Sequence, residues 1–193
     1  MFIRLIALPV LAAALLLSAC SKEGPPAQPA TATPIAQPYE AVAAQGKVFT
    51  VGAMMSANTV YVLFDPQCPH CGRLWEASLP LQAKVKFVWM PVAFINAKSA
   101  PQGAALMTAA NPQELMSTHE KSVLSGAGGI SAPSGIAPEI EQAIQSNTRL
   151  LNSLGADSVP YIVARNLRTG EVVSNTGALE TPALADFLGV DRP

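Results

Sequence analysis

Hydrophobic positions follow three regimes along the chain. Residues 5–17 are almost uninterruptedly apolar, residues 21–45 show no apolar periodicity, and from about Gly46 short apolar runs alternate with stretches of helical spacing. Thr59–Phe64 (TVYVLF) is β-branched and aromatic on both faces, which suits a strand buried in mid-sheet. Val85–Met90 reads the same way, and Lys47–Val51 reads as an edge strand. Between the buried strands Leu74, Trp75 and Leu79 recur at helical spacing until Pro80 stops the helix. Strand, helix and strand at this spacing predict a βαβ unit with parallel strands. Residues 98–154 read as helical, with Asn111-Pro112 as a cap and first-turn proline and a Gly-rich break over 126–135. Pro138 opens a helix bearing Ile140, Ile144, Leu151 and Leu154, and Gly155 closes it. Two strands follow, Tyr161–Ala164 and Glu171–Ser174, and Thr181-Pro182 caps a last short helix. The order predicts an α/β fold with a mixed central sheet, flanking helices and a helical insertion.

The apolar start changes the picture of where the chain resides. Arg4 precedes Leu5–Leu17, a stretch shorter than the ~20 residues a plain spanning helix needs, so residues 1–19 read as an export signal. Leu17-Ser18-Ala19-Cys20 resembles the bacterial lipobox. That resemblance implies cleavage before Cys20 and a diacylglycerol on its thiol, and Ser21 in the next position implies outer-membrane sorting. The competing reading is an ordinary signal cleaved nearby, with Cys20 incidental. Residues 20–45, with Pro25, Pro26, Pro29, Pro34 and Pro38, read as an extended tether, and 46–193 as one globular domain. The formal charge of −1 argues against a nucleic-acid partner, which needs a basic excess.

Three cysteines are present, and a lipidated Cys20 leaves Cys68 and Cys71 as the thiols. In an exported protein such a pair is structural, metal-binding or redox-active. Cys68-Pro69-His70-Cys71 stands where the buried strand turns into a helix. There, free N–H groups and the macrodipole favour a thiolate on Cys68. His70, when protonated, would add charge, and Pro69 lacks an N–H where the helix has donors to spare. Cys71, one turn on and expected deeper, would resolve a mixed disulfide formed at Cys68. Zinc needs about four ligands, and His119, expected as a solvated helix residue, is the one other imidazole. Gly72 stands where haem attachment needs His. A structural disulfide would close too small a loop to constrain the unfolded chain much.

Phe64-Asp65-Pro66-Gln67-Cys68-Pro69-His70-Cys71, and Leu154-Gly155 followed by Val159-Pro160-Tyr161-Ile162, resemble the thioredoxin-fold catalytic domain of bacterial disulfide-bond (Dsb) proteins, the DsbC/DsbG branch above all. The resemblance covers about Gly46–Gly189. It implies a cis Pro160 facing the cysteine pair, with Val159 offering backbone hydrogen bonds to a bound client. The Pro69-His70 dipeptide and Val159 match the oxidase DsbA instead. Thioredoxin and DsbA carry a buried acid six residues before the first cysteine, where this chain has Val62. Asp65, the nearest carboxylate, reads equally as a proton acceptor for Cys71 or as a cap on the strand end. The DsbC/DsbG dimerisation domain has no counterpart between residues 21 and 45, so a monomer is expected.

The expectation is therefore a periplasmic thiol–disulfide oxidoreductase, lipid-anchored to the outer membrane. Its substrates are protein thiols and disulfides, and a membrane partner recycles it. Its chemistry needs no metal or organic cofactor. The alternative is a non-catalytic chaperone or peptide-binding module that uses the groove beside Pro160.

Overall fold

The computed structural model describes residues 37–44 and 48–193. The signal segment, Cys20 and the tether up to residue 36 lie outside them, as does Lys47 at the expected start of the first strand. The tether read over 20–45 needs correction at its end. Residues Pro38–Ala43 form a helix, α1, whose Val42 is buried and whose Tyr39 meets Tyr61 edge-on at 5.3 Å. Fewer than two turns with one buried side chain leave no periodicity to read, and tertiary contact holds the helix, since so short a helix is marginal alone.

Five strands follow: β1 Phe49–Gly52, β2 Thr59–Phe64, β3 Lys86–Pro91, β4 Tyr161–Arg165 and β5 Val172–Thr176. Their order in the sheet is β1-β3-β2-β4-β5. β2 and β3 are parallel, with Val62 opposite Trp89, and every other pairing is antiparallel. The expected βαβ unit is thus present, and β2, apolar on both faces, lies in the centre of the sheet.

Helix α2 (Pro69–Ser78) leaves β2 and passes into a 3₁₀ turn, Leu79–Leu81. Pro80 ends the α-helix two residues early because its ring cannot follow the i−4 carbonyl. Leu74 and Trp75 are buried, each worth roughly 1.5–3 kcal/mol in removed apolar surface. Trp75 meets Trp89 at 5.3 Å, Trp89 meets Phe64 at 5.3 Å, and Phe64 meets Phe49 at 5.9 Å, all edge-on. This aromatic chain runs from α2 across β3 and β2 to β1.

The helical insertion comprises α3 (Ser99–Met107), α4 (Pro112–Leu124) and α5 (Pro138–Ser153). Asn111 caps α4 by accepting from the Glu114 N–H. Gly155, at φ +75°, closes α5 in a Schellman motif, its N–H going to Asn152 O and that of Ala156 to Leu151 O. Trp75 Nε1–H donates to Ser117 Oγ at 3.2 Å and so sets α2 against α4. Asn147 of α5 donates to Pro91 O at 3.0 Å. The last helix, α6 (Thr181–Leu188), has Glu180 as its N-cap. Thr181, expected in that role, instead donates its hydroxyl to Ala77 O at 2.8 Å and ties α6 to α2. Among the described residues no helix is long and apolar enough to cross a membrane.

Candidate active site

The cysteine pair sits at the carboxyl end of the central strand. Cys68 is the N-cap of α2, with extended backbone (φ −96°, ψ 112°), and Pro69 occupies the first helical position. The Cys68 N–H donates to Asp65 O, and its carbonyl accepts from Cys71 and Gly72. Both cysteines are free thiols. Cys68 retains 5% exposure and Cys71 none, the gradient expected one helical turn apart.

The two sulfurs differ in acidity. The Cys68 thiol falls to about 7, chiefly because the Cys71 S–H hydrogen-bonds to its sulfur. Burial opposes the shift, and the N–H groups of Cys71 and His70 assist it. They close no capping bond to Sγ, so they act as oriented dipoles of the helix terminus. The charge of Asp65 pushes the other way. Cys71 is raised well above the ordinary thiol value, first by burial and then by its own bond to Cys68. One sulfur is thus ready to ionise near neutrality while its neighbour holds a proton.

His70 acts through its backbone. Its imidazole is exposed and lies 3.0 Å from Arg73 Nη2. Arginine has only donors, so the ring nitrogen accepts there. Pro69 is exposed beside it.

The loop before Cys68 is fastened from three sides. Asp65 is fully buried, and its carboxylate accepts from the N–H groups of Gln67 (2.9 Å), Phe94 (2.9 Å) and Ile95 (3.0 Å). Of its two readings the cap is realised, joining the active-site loop to the segment after β3. Gln67 bonds Gln102 and the Gly128 carbonyl of the insertion. His119, expected on the surface, is buried instead. Its Nε2 lies 2.7 Å from Pro66 O, and its Nδ1 accepts from the Ile130 N–H at 3.2 Å. That pattern sets the neutral tautomer with the proton on Nε2, and burial lowers its affinity for a second proton. The enclosed histidine bridges two backbone groups, the Pro66 carbonyl before α2 and the Ile130 N–H of the insertion.

Across from Cys68, the Val159–Pro160 peptide is cis, as the family resemblance implied, and both residues are buried. The Cys68 thiol donates to Val159 O at 3.5 Å. The fold therefore gathers Cys68, Cys71, Val159 and Pro160 at one place, while His70 faces solvent. Glu120 was missed. It is fully buried beside α2, on a stripe with Met116, His119 and Val123. The i, i+4, i+7 spacing of Met116, Glu120 and Val123 was the available signal. Among the described residues no three His, Cys, Asp or Glu side chains form a metal-ligating group.

No protein-family model matches the chain. In sequence it is similar to the thiol:disulfide interchange protein DsbG of Pseudomonas aeruginosa, 29% identical over 140 residues, covering 72% of this chain and 54% of that protein. It is likewise 29% identical over 105 residues to DsbG of Escherichia coli, covering 53% and 42%. The chain thus spans about half the length of the curated relatives it matches. In structure it is similar to a thioredoxin-like oxidoreductase from Silicibacter pomeroyi (TM-score 0.59, 20% identity, covering 78% of this chain and 95% of that one). The catalytic domain of Proteus mirabilis ScsC gives a TM-score of 0.57 at 18% identity, covering 79% and 93%. The thiol–disulfide exchange protein α-DsbA2 from Wolbachia pipientis gives 0.58 at 18%, covering 79% and 90%. These likenesses establish a thioredoxin-like fold.

Proposed function

We propose that this chain, a thioredoxin-fold relative of the bacterial Dsb proteins, is an exported thiol–disulfide oxidoreductase acting on protein clients through Cys68 and Cys71. The observation that carries the proposal is the split between the two sulfurs. Cys68 is at a helix N-terminus with its thiol at about 7, and Cys71 is sealed one turn inside and held protonated. The thiolate is the nucleophile in disulfide exchange, and a pKa near ambient pH is the best compromise between thiolate fraction and reactivity. In the reducing direction the Cys68 thiolate attacks a client disulfide, and one client sulfur leaves as thiolate. Cys71 then attacks Cys68 Sγ, the Cys68–Cys71 bond forms and the second client sulfur leaves. Two electrons pass to the client, and the reverse sequence oxidises a client dithiol. Val159, whose carbonyl accepts from the Cys68 thiol, and Pro160 stand where the client chain would lie. Either direction of net transfer changes the redox state of the pair, so a membrane partner that resets it completes the cycle. The test is a glutathione titration of the pair with alkylation readout. One two-electron transition is expected, and a pair that stays reduced under every glutathione ratio removes the proposal.

The direction of transfer is read from stability. The folded Cys68 pKa of about 7 lies below the unfolded thiol value of about 8.5. Its contribution to the reduced form is therefore full above that unfolded value and is lost as pH falls through about 7. Cys71 is shifted upward, so it costs nothing below about 8.5 and destabilises the reduced form as pH rises beyond. The advantage of the reduced over the oxidised protein should thus grow between about pH 7 and 8.5 and shrink on either side. Paired thermal melts across this range check it. An oxidised form that melts higher throughout would make the chain a reductant or isomerase, not an oxidant.

The location proposal is that Cys20 becomes the N-terminus and carries a diacylglycerol, tethering the domain to the periplasmic face of the outer membrane. The lipobox-like Leu17-Ser18-Ala19-Cys20 and the proline-rich stretch behind it support this. Mass spectrometry of the protein from membranes should find a diacylglyceryl Cys20. A mature chain starting elsewhere, without lipid, would remove the anchor and leave the redox proposal standing.

A further inference from the structure

Glu120 is the residue of the site with no structural employment. It is fully buried, and neither carboxyl oxygen has a hydrogen-bond partner among the described residues. A buried acid without partners is costly unless it stays neutral, so a structural role is a poor account of it. Asp65, the other buried carboxylate of the site, is committed to three backbone N–H groups.

The packing of α4 on α2 brings Glu120 to the cysteines. A Cβ added at Gly72, the residue after Cys71, would lie 2.9 Å from Glu120 Oε2 and 3.0 Å from Leu124 Cγ. The glycine lets the acid lie against the backbone beside Cys71. The Trp75–Ser117 bond holds the two helices in this register. The titratable groups facing Glu120 are Cys68 at the N-cap of α2, Cys71 and Glu76 within α2, and Asp65 of the preceding loop. α3 and β1, also packed on α4, carry none.

We propose that Glu120 is the proton-transfer partner of Cys71, supplied by the helical insertion in place of an acid on β2, where Val62 stands. The inference rests on the thiol–disulfide reading above. When a client thiolate attacks Cys68 Sγ, the Cys68–Cys71 bond breaks and Cys71 departs as thiolate. Glu120 hands its proton to that sulfur and is left as carboxylate. In the reverse step the Glu120 carboxylate takes the Cys71 proton, Cys71 attacks Cys68 Sγ, and the client leaves as thiolate. Burial, the first cause and one independent of the redox state of the pair, holds Glu120 above the ordinary carboxyl range and so loads it with a proton. The charges of Glu76 and Asp65 add to this, and that of Cys68 only in the reduced pair.

Glu120→Gln keeps the volume and removes the proton. In single-turnover oxidation of a reduced two-cysteine peptide by the full-length oxidised protein, this variant should open the disulfide about 10²-fold more slowly. The unsubstituted protein should lose rate as pH rises through the Glu120 titration, and the variant should lack that limb. Reduction-induced infrared difference spectra of protein with isotope-labelled glutamate should show a protonated-carboxyl band that Glu120→Gln abolishes. This band reads the acid in the unsubstituted chain even if the variant folds poorly. An unchanged rate and pH profile in a folded variant, or no such band, overturns the proposal and leaves the redox reading intact. If the unsubstituted protein exchanges no disulfides, both fall.

Discussion

Cys71→Ala is expected to accumulate mixed disulfides between Cys68 and client proteins, whereas Cys68→Ala should accumulate none. With Cys71 gone, the Cys68–client bond has no internal nucleophile to break it and waits for an external thiol. With Cys68 gone, the remaining thiol is fully buried and holds its proton, so it neither reaches nor attacks a client. Both single variants should lose steady-state exchange. Non-reducing gels after acid quenching separate them. A second signature follows from the origin of the Cys68 shift. The Cys71 S–H is its largest contributor, so Cys71→Ala should raise the Cys68 pKa above about 7. His70→Ala should leave it nearly unchanged, because the backbone N–H remains. Thiolate absorbance during pH titration measures both. Equal trapping by the two cysteine variants would overturn the assignment of roles. No trapping by either would favour a non-catalytic binding module.

Asp65→Ala should destabilise the fold by about 3 kcal/mol. Hydrogen bonds to a charged group are worth roughly 1.5–3 kcal/mol each, and three are lost, partly offset where water reaches the N–H groups of exposed Phe94 and Ile95. Asp65→Asn retains a carbonyl acceptor and should cost less. It also removes the negative charge that raises the Cys68 pKa, so that thiol should become more acidic than in the unsubstituted protein. Denaturant unfolding gives the first quantity and thiolate absorbance the second. A stability loss below about 0.5 kcal/mol in Asp65→Ala would mean that the three bonds do not hold the loop.

Much of the frame was legible without coordinates. Thr59–Phe64 forms β2 at the expected limits, and Val85–Met90 is β3 shifted by one residue. Asn111, Pro138 and Gly155 mark helix ends as expected. The Cys68-to-Cys71 segment enters a helix whose first turn buries the second cysteine. These features depend on neighbours within about one turn of chain, through steric restriction at proline, φ freedom at glycine and β-branched or apolar spacing. A single sequence displays such rules directly.

Other features depend on partners far along the chain. Asp65 accepts from backbone groups 29 and 30 residues away, and His119 binds a carbonyl 53 residues away. Asp65 has no local cue to its burial, His119 has only its helical spacing from Met116 and Val123, and backbone donors carry no residue-specific signature at all. The same holds for Thr181, drawn from a capping role to a carbonyl 104 residues distant, and for α1, held by contact with the sheet. Glu120 lies on the inner stripe of its helix, yet the helix that covers it and the glycine that admits it belong to another element. Chemistry encoded within one turn, the cysteine pair at a helix N-terminus, could therefore be read from residue order. The acidity of each sulfur and the surroundings of Asp65, His119 and Glu120 arise only when distant segments pack, because desolvation and charge act through space and not along the chain.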